Sequence, residues 1–581
     1  MRRSKAGGAP HSCGRTAARK RFVGSNLSCA QVHLDGISNI ASGPGQVKYA
    51  GTVIIFEDEH LLVVNKPPGW NTHSPSPYAG EGLYEWLKNS NPSRANLAIM
   101  HRLDKETSGI IVFTKTPLAN KSLVQQFEQR AVRKKYLLLT DRETPRAAFT
   151  AKSWLVRSGE KHFSQPDGQE SAFAETRFTP VALPDQMPAT HPPCFAWAAE
   201  PATGRTHQIR VHAADRGFPV LGDRLYGGTA SARLFLHSAQ IRFRHPASGQ
   251  DVVFDAPAEF SDDPRQKLRS AFIDTASTNA FRLIHGAADG WPGLYVDRLG
   301  DFLLAQSERE LTTEQRCQID ALAARLDARG IYHKILHRQT QNRGVAESSP
   351  CWLAGEKAPD EFSVLENSRH FALRFTAGCS FGLFLDQREN RRRLLTGYIA
   401  PDFNLAPPAT ALNAFAYTCA FSVCAALAGA RVTSLDLSKK YLDWGRRNFA
   451  LNQLDPSAHD FIYGDAFEWF RRLAKKGCRY PLVILDPPTF SRSPEHGVFR
   501  AEKDYGKLIE AALPLVSPDG ILFASANTAT LPAERFLEMV TRPMVRAGRR
   551  IVQQHYVPQP PDFPIHRDEP AYLKTVWLRV A

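Results

Sequence analysis

Cysteine is scarce and scattered in this chain: nine among 581 residues, with no Cys-x-x-Cys pair. That spacing argues against a zinc ribbon or a disulfide framework and fits a reducing, cytoplasmic setting. Acidic residues are missing from Met1 to Leu34, a stretch that holds Arg2, Arg3, Lys5, Arg15, Arg19, Lys20 and Arg21. The same stretch has no apolar core, which excludes a secretory signal. The plainest reading of residues 1–48 is a disordered basic tail, with an organelle transit peptide or a misassigned start as alternatives. Long apolar runs are also missing. The most apolar window, Leu412 to Ala430, is broken by Asn413, Tyr417, Thr418 and Ser422, so it reads as a buried strand–turn–helix and no membrane span is expected.

What the chain does have is positive charge, a formal net of +15. Such an excess suits a polyanionic partner, because Lys and Arg displace counterions from phosphates; the alternative is a merely solubilising surface. The length exceeds one hydrophobic core and predicts several domains. Val53 to Phe56 and Leu61 to Val64 read as strands around the acidic turn Glu57-Asp58-Glu59, and strand patterns recur through Phe260. We divide the chain into the tail, a first domain over 49–262, a linker over 263–279, a small α/β subdomain over 280–375, and an α/β domain over 376–581 where helices alternate with apolar strands.

Two runs in the first domain carry chemistry: His101-Arg102-Leu103-Asp104-Lys105-Glu106-Thr107-Ser108-Gly109, and Thr203-Gly204-Arg205-Thr206-His207-Gln208-Ile209-Arg210. An isolated Asp before a strand is usually a turn or cap residue. Here the whole run resembles the catalytic motif of the RluA/RluD family of pseudouridine synthases. Val64 to Gly69, Lys134-Lys135-Tyr136 and Gly222 to Gly227 extend the resemblance over roughly Thr52 to Phe260. It implies an α+β fold with a mostly antiparallel sheet, a uridine in RNA as substrate, and no cofactor. It also implies that Asp104 is the nucleophile, that Tyr136 packs on the target base, and that Arg210 pairs with Asp104. Arg102 would fill the space left by the flipped base, and Arg205 and His207 would bind substrate. A carboxylate can divide a glycosidic exchange into two steps, and a base in a stem is reached only by flipping. His207 and His212 lack Cys or carboxylate partners at ligand spacing, so no metal is expected.

In the last domain, Val432 to Asp436 and Leu482 to Asp486 both read as strands that end in an acid, the place where doubly wound sheets hold ribose hydroxyls. Buried strands also end in Asp without function. The wording of Leu412 to Thr418, Thr433 to Ser438, Gly464-Asp465-Ala466 and Asp486-Pro487-Pro488-Thr489-Phe490-Ser491 resembles class I S-adenosylmethionine-dependent rRNA methyltransferases, in particular the 23S rRNA cytosine-C5 and guanine-N7 enzymes. The resemblance implies a Rossmann-like fold with S-adenosylmethionine as cofactor. Asn413 and Phe415 would lie in the cofactor loop, Asp436 on the ribose and Asp465 at the adenine edge. Asp386 and Arg388 would lie near the methionine end. Asp486, with Pro487, Pro488 and Phe490, would form the floor beneath the base. Cytosine C5 needs a thiolate and no Cys lies in that loop, so guanine N7 is favoured and cytosine C5 comes next. One departure stands out: the family has Gly where this chain has Cys419, and a side chain there is expected to crowd the cofactor.

The combined expectation is a bifunctional RNA-modifying enzyme acting on 23S rRNA, with tRNA also open. The alternative is an rRNA or tRNA pseudouridine synthase whose methyltransferase part is weak or only binds RNA. The sequence does not give an oligomeric state.

Overall fold

The computed structural model describes residues 53–581, apart from 144–146, 185–193, 261–262, 337–347, 379 and 494–496. The expected basic tail lies outside the described residues.

The first half is built on an eleven-stranded sheet. Its main path runs Ile54–Glu57, Leu61–Lys66, Ser108–Thr114, Leu236–Arg244, Arg133–Thr140, Phe195–Pro201, Phe173–Val181, Phe149–Ser158 and Lys161–Gln165. Every pairing along this path is antiparallel except that of Ser108–Thr114 with Leu236–Arg244. Side chains alternate across a strand. Accordingly Leu62, Val64, Ile111 and Phe113 fall in one core cluster, and Leu61, Val63, Ile110 and Val112 in another on the opposite face. Gly109 is needed where the parallel strands meet: its φ is +113°, and a Cβ there would strike the backbone of Ser238.

The expected linker is not one. Pro264–Phe272 is a helix, its Arg269 is buried in an ion pair with Asp289, and Phe272 packs on Trp70 with ring centroids 5.7 Å apart. The five-stranded sheet that follows (Ala280–His285, Leu294–Leu299, Phe302–Ser307, Gly330–Ile335, Cys351–Gly355) does not stand alone either. Its Ala280, Phe302 and Tyr332 share one core with Phe375, Phe421, Phe449 and Trp577 of the last domain, so the expected break at 375 cuts through packed side chains.

The last domain is a seven-stranded sheet in the order Asp460–Tyr463, Arg431–Asp436, Thr410–Ala414, Tyr480–Leu485, Val516–Asn527, Leu573–Val580, Ile551–Pro558. The first five strands are parallel; Leu573–Val580 runs against them, pairing antiparallel with both Val516–Asn527 and Ile551–Pro558. The chain starts in the middle at Thr410–Ala414 and winds both ways, which creates a crevice at the carboxyl ends of Thr410–Ala414 and Tyr480–Leu485. Leu412 to Ala430 is indeed a buried strand, turn and helix. No helix among the described residues is long and apolar enough to cross a membrane.

Helix Arg388–Thr396 joins the parts. Arg388 is held bidentately by Asp562 at 2.9 and 2.7 Å, and Arg391 by Glu366 at 2.6 and 2.7 Å. Arg392 donates to the carbonyls of Ser90 and Asn89 at 3.2 and 3.0 Å, and Arg393 lies 3.3 Å from Glu81. The last two contacts grip the C-terminal end of helix Leu83–Ser90 of the first half and the residue just ahead of its N-cap. Each guanidinium is buried or nearly so, where a charge is tolerated only when paired and hydrogen-bonded.

Candidate active sites

The first site is a basic cavity of about 930 Å³ lined by Arg102, Asp104, Tyr136, Arg205, His207 and Arg210, all six of the residues expected there. Asp104 sits on a turn closed by the Thr107 amide donating to its carbonyl at 3.1 Å. Its neighbour Leu103 is pinned through both backbone groups to the Thr72 hydroxyl. Lys66, fully buried, donates to the carbonyls of Pro67, Trp70 and Lys105 at 3.0, 2.7 and 2.9 Å, fastening the other side of the turn. Burial pulls that ammonium down to about 7.

Arg210 Nη1 lies 3.3 Å from the Asp104 carboxylate. The rest of the guanidinium is held bidentately by Asp223 at 2.7 and 2.8 Å, and its face covers the Tyr226 ring. Burial opposes the charge on Arg210, but Asp223 and Asp104 more than offset it and raise its pKa. Asp223, whose side chain is wholly buried, is the partner of Arg210 that the sequence analysis does not single out, although its run Gly222 to Gly227 belongs to the family pattern. His207 opens helix Gln208–Asp215 with φ +58°, which turns its Nε2 to 3.7 Å from Asp104 while Nδ1 meets the Tyr226 hydroxyl at 2.9 Å. Tyr136 is buried beside the turn, and burial pushes its hydroxyl up to about 12, so it stays protonated. Arg102 and Arg205 are exposed at the rim.

The second site is a cavity of about 540 Å³ at the sheet's crevice. Phe415, Asp436, Asp386, Asp486, Pro487 and Pro488 line it, as expected. The Asp436 carboxylate accepts from the amides of Tyr417 and Ser438, both at 2.8 Å, while burial raises its pKa. Asp486 is pushed up to about 6, first by burial, with Asp386 adding repulsion. Asp465 caps helix Ala466–Lys475 and lines an adjoining recess with Phe415, Leu437 and Ala466.

Three expected residues lie elsewhere. Asn413 turns under the sheet to donate to Ser422 Oγ at 2.8 Å. Arg388 is committed to Asp562, away from the cavity. Phe490 stands on strand Phe490–Ser493, which pairs with Gly497–Arg500, and lies under Arg500. The cofactor loop also corrects the expectation for Cys419. Phe415, Tyr417 and Cys419 all have positive φ (61°, 48° and 61°), so the backbone turns at every second residue. That geometry points the Cys419 side chain away from the cavity and against Gly445, where a Cβ would lie only 2.8 Å from the Cys419 Cβ. Nothing crowds the crevice from this position. Gln387 and Tyr417, both lining it, were not anticipated.

A doubly wound sheet with an aromatic, acid-lined crevice at its switch point defines a nucleotide-cofactor protein of the Rossmann class. Residues 281–579, more than half of the chain, match the family model described as S-adenosylmethionine-dependent methyltransferase, and the chain belongs to that family. Residues 60–215 match the model described as RNA pseudouridylate synthase. A "Ribosomal RNA large subunit methyltransferase" of Deinococcus radiodurans is 34% identical over 374 residues, covering 63% of this chain and 87% of the relative. "Ribosomal RNA large subunit methyltransferase I" of Pseudoalteromonas atlantica is 31% identical over 319 residues, 54% and 78% of the two chains. The solved structure of human RNA Pseudouridylate Synthase Domain Containing 1 is 24% identical with a TM-score of 0.30, covering 37% of this chain and 86% of its own.

Proposed function

We propose that the chain modifies RNA at two sites: the first half isomerises a uridine to pseudouridine, and the second transfers a methyl group to a base of large-subunit rRNA, at guanine N7. The observation that carries the first part is the Asp104 carboxylate, open to a basic cavity yet aimed by Arg210, which Asp223 holds from behind. In this reading Asp104 is the nucleophile that accepts the glycosidic exchange, and Arg210 holds its carboxylate in place. Tyr136 supplies a face for the extruded base. Arg102 occupies the space the base leaves, and Arg205 and His207 hold the RNA strand.

In the second half, Asp436 would hold the ribose of S-adenosylmethionine, with Phe415 and Leu437 flanking its purine and Asp465 at the purine edge. The crevice fits such a group because the carboxylate is already aimed by two amides and aromatic walls stand beside it. The bound cofactor supplies an electrophilic methyl group. Asp486, Pro487 and Pro488 would orient the accepting base. Guanine N7 is already nucleophilic and needs positioning only, whereas cytosine C5 needs a thiolate. Among the described residues none of the cysteines lines the crevice, which supports N7. The names of the relatives support rRNA over tRNA. One ground for reading the second half as a weak or purely RNA-binding domain is Cys419 crowding the cofactor, and that side chain faces Gly445 instead; the other is Phe381, which stands where the family favours a small polar residue.

The test is nucleoside mass spectrometry of rRNA and tRNA from cells lacking the protein, then complemented with wild type, Asp104→Asn or Asp436→Asn. Loss of one pseudouridine and one 7-methylguanosine is expected, with Asp104→Asn restoring only the methyl group and Asp436→Asn only the pseudouridine. A pseudouridine restored by Asp104→Asn would overturn the nucleophile, and an unchanged methylation pattern would overturn the second half.

A further inference from the structure

Beneath the crevice runs a chain of hydrogen bonds whose direction is forced by chemistry. Trp577 is wholly buried, and its indole N–H can only donate. It lies 3.0 Å from Asn390 Oδ1. With its oxygen so engaged, Asn390 must present its NH2 group to the other side, where Gln387 Oε1 waits at 2.8 Å. Thr575 adds an independent lock: its hydroxyl proton goes to the Val557 carbonyl at 2.7 Å, leaving its oxygen free to accept from Asn390 Nδ2 at 3.3 Å. Gln387 therefore has its oxygen turned inward and its NH2 outward. That NH2 lies 3.2 and 3.3 Å from the two oxygens of Asp486 and 2.8 Å from Ser525 Oγ. Gln387 and Asn390 are 2% and 1% exposed, so no water competes to reverse either amide.

We infer that Gln387 is a positioning residue for the methyl-transfer floor, locked by Asn390 and Trp577 so that it always donates to Asp486 and holds that carboxylate as a pure acceptor facing the base. The inference rests on the reading that Asp486 borders the methyl-accepting base. It also deepens that reading toward substrate class. An ionised carboxylate offers two acceptors and no donor, and among the RNA bases guanine alone presents two adjacent donors, N1–H and N2–H2, on one edge. An inverted Gln387 would point a carbonyl at Asp486 and favour its protonated form, which turns an acceptor into a donor.

The other groups that face Asp486 are Asp386, which raises its pKa, and Arg391 and Ser525, which lower it. Tyr505, behind the strand ends, is itself held protonated by burial and by Asp486. Each stays in place in the variants below, and Gln387→Met and Trp577→Phe add no charge of their own, so a shift in their pH profiles reports the relay. Gln387→Met removes the donor. Asn390→Asp removes the NH2 that fixes Gln387, so that Gln387 turns its NH2 inward although it is itself unaltered. Trp577→Phe keeps a ring in the core and removes only the directing N–H.

The experiment measures single-turnover methyl transfer from labelled S-adenosylmethionine to large-subunit rRNA by the full chain between pH 5 and 9, with cofactor affinity by calorimetry. Wild type is expected to lose activity as the pH falls through about 6, where Asp486 takes up a proton. Gln387→Met and Asn390→Asp are expected to slow transfer on the order of 100-fold at neutral pH and to move that midpoint upward by about one unit or more; Asn390→Asp, which lies beneath the crevice and not in its lining, is expected to bind cofactor within about twofold of wild type. Trp577→Phe is expected to shift the midpoint the same way by less. A wild-type midpoint in all three variants, with Asp486→Asn inactive, would overturn the relay and leave the role of Asp486 standing. Full activity of Asp486→Asn would overturn the reading of the floor itself.

Discussion

The pairing of Cys419 with Gly445 makes a prediction whose size follows from geometry. A non-glycine residue at φ +61° in the left-handed region carries about 1–2 kcal/mol of strain. Replacing Cys419 by Gly relieves that strain, gives up a buried sulfur contact worth about 1 kcal/mol, and loosens the unfolded chain by a few tenths, so the net change should be small. Replacing Gly445 by Ala alone drives a methyl group into Cys419, and overpacking of this kind costs about 1–3 kcal/mol. In the double variant the methyl group occupies the space the sulfur vacates and the overpacking is relieved, while the helix propensity alanine gains over glycine, about 1 kcal/mol, is common to both Gly445→Ala variants and cancels. The two substitutions should therefore couple by about 2 kcal/mol or more in the stabilising direction. Urea unfolding of the full chain, followed by tryptophan fluorescence, measures the cycle. Calorimetric titration with S-adenosylmethionine should give affinities within about twofold for Cys419→Gly and wild type, since the sulfur faces away from the crevice. Additivity within about 0.5 kcal/mol would refute the contact. A tenfold tighter cofactor in Cys419→Gly would refute the orientation and reinstate crowding.

Other consequences are testable in the same preparations. Asp223→Asn should cut pseudouridine formation by about 10-fold or more and leave methyl transfer unchanged, because Arg210 loses the charge that holds it toward Asp104; a wild-type rate would show that Arg210 needs no backing. Lys66→Met should lower the same activity by freeing the Lys105 carbonyl beside the nucleophile, read as a fall in kcat with little change in KM for RNA. Arg393→Met leaves Glu81 without its partner across the interface and should split one thermal unfolding transition into two by calorimetry; a single unshifted transition would mean the contact contributes nothing to holding the halves together.

The first site was legible because its parts are local. Asp104 and Arg210 each sit in a run whose wording is distinctive, and the turn and helix that present them are built from the same runs. Asp223 escaped because its significance lies in a bond to a guanidinium thirteen positions away, not in its own neighbourhood. The second site was less legible for the same reason on a larger scale. Arg388 sits within a recognisable run, but its partner Asp562 is 174 positions downstream, and that bond draws it from the crevice into the core. Asn413 lies next to the end of a strand where a cofactor ligand is expected, yet Ser422, in the first turn of the next helix, claims its amide. The supposed linker was polar enough to pass for loop; its buried face, Arg269 and Ala271, shows only once Asp289 and the tryptophans are brought beside it. The direction of the Trp577 relay is invisible in one dimension, since it joins residues from two ends of a domain.

The arginine-rich helix has a further consequence for how this chain can change. Four guanidiniums that look interchangeable on paper each answer to a different address: the C-terminal loop, the hairpin before the last domain, and, in the first half, the end of helix Leu83–Ser90 and Glu81 ahead of its start. A helix advances about 100° per residue. A single insertion after Arg391 would leave the first two bonds intact and rotate the other two arginines off the neighbouring body. The run is thus read by position as a tumbler lock reads a key, and its spelling tolerates neither slip nor shuffle even though its composition would survive both.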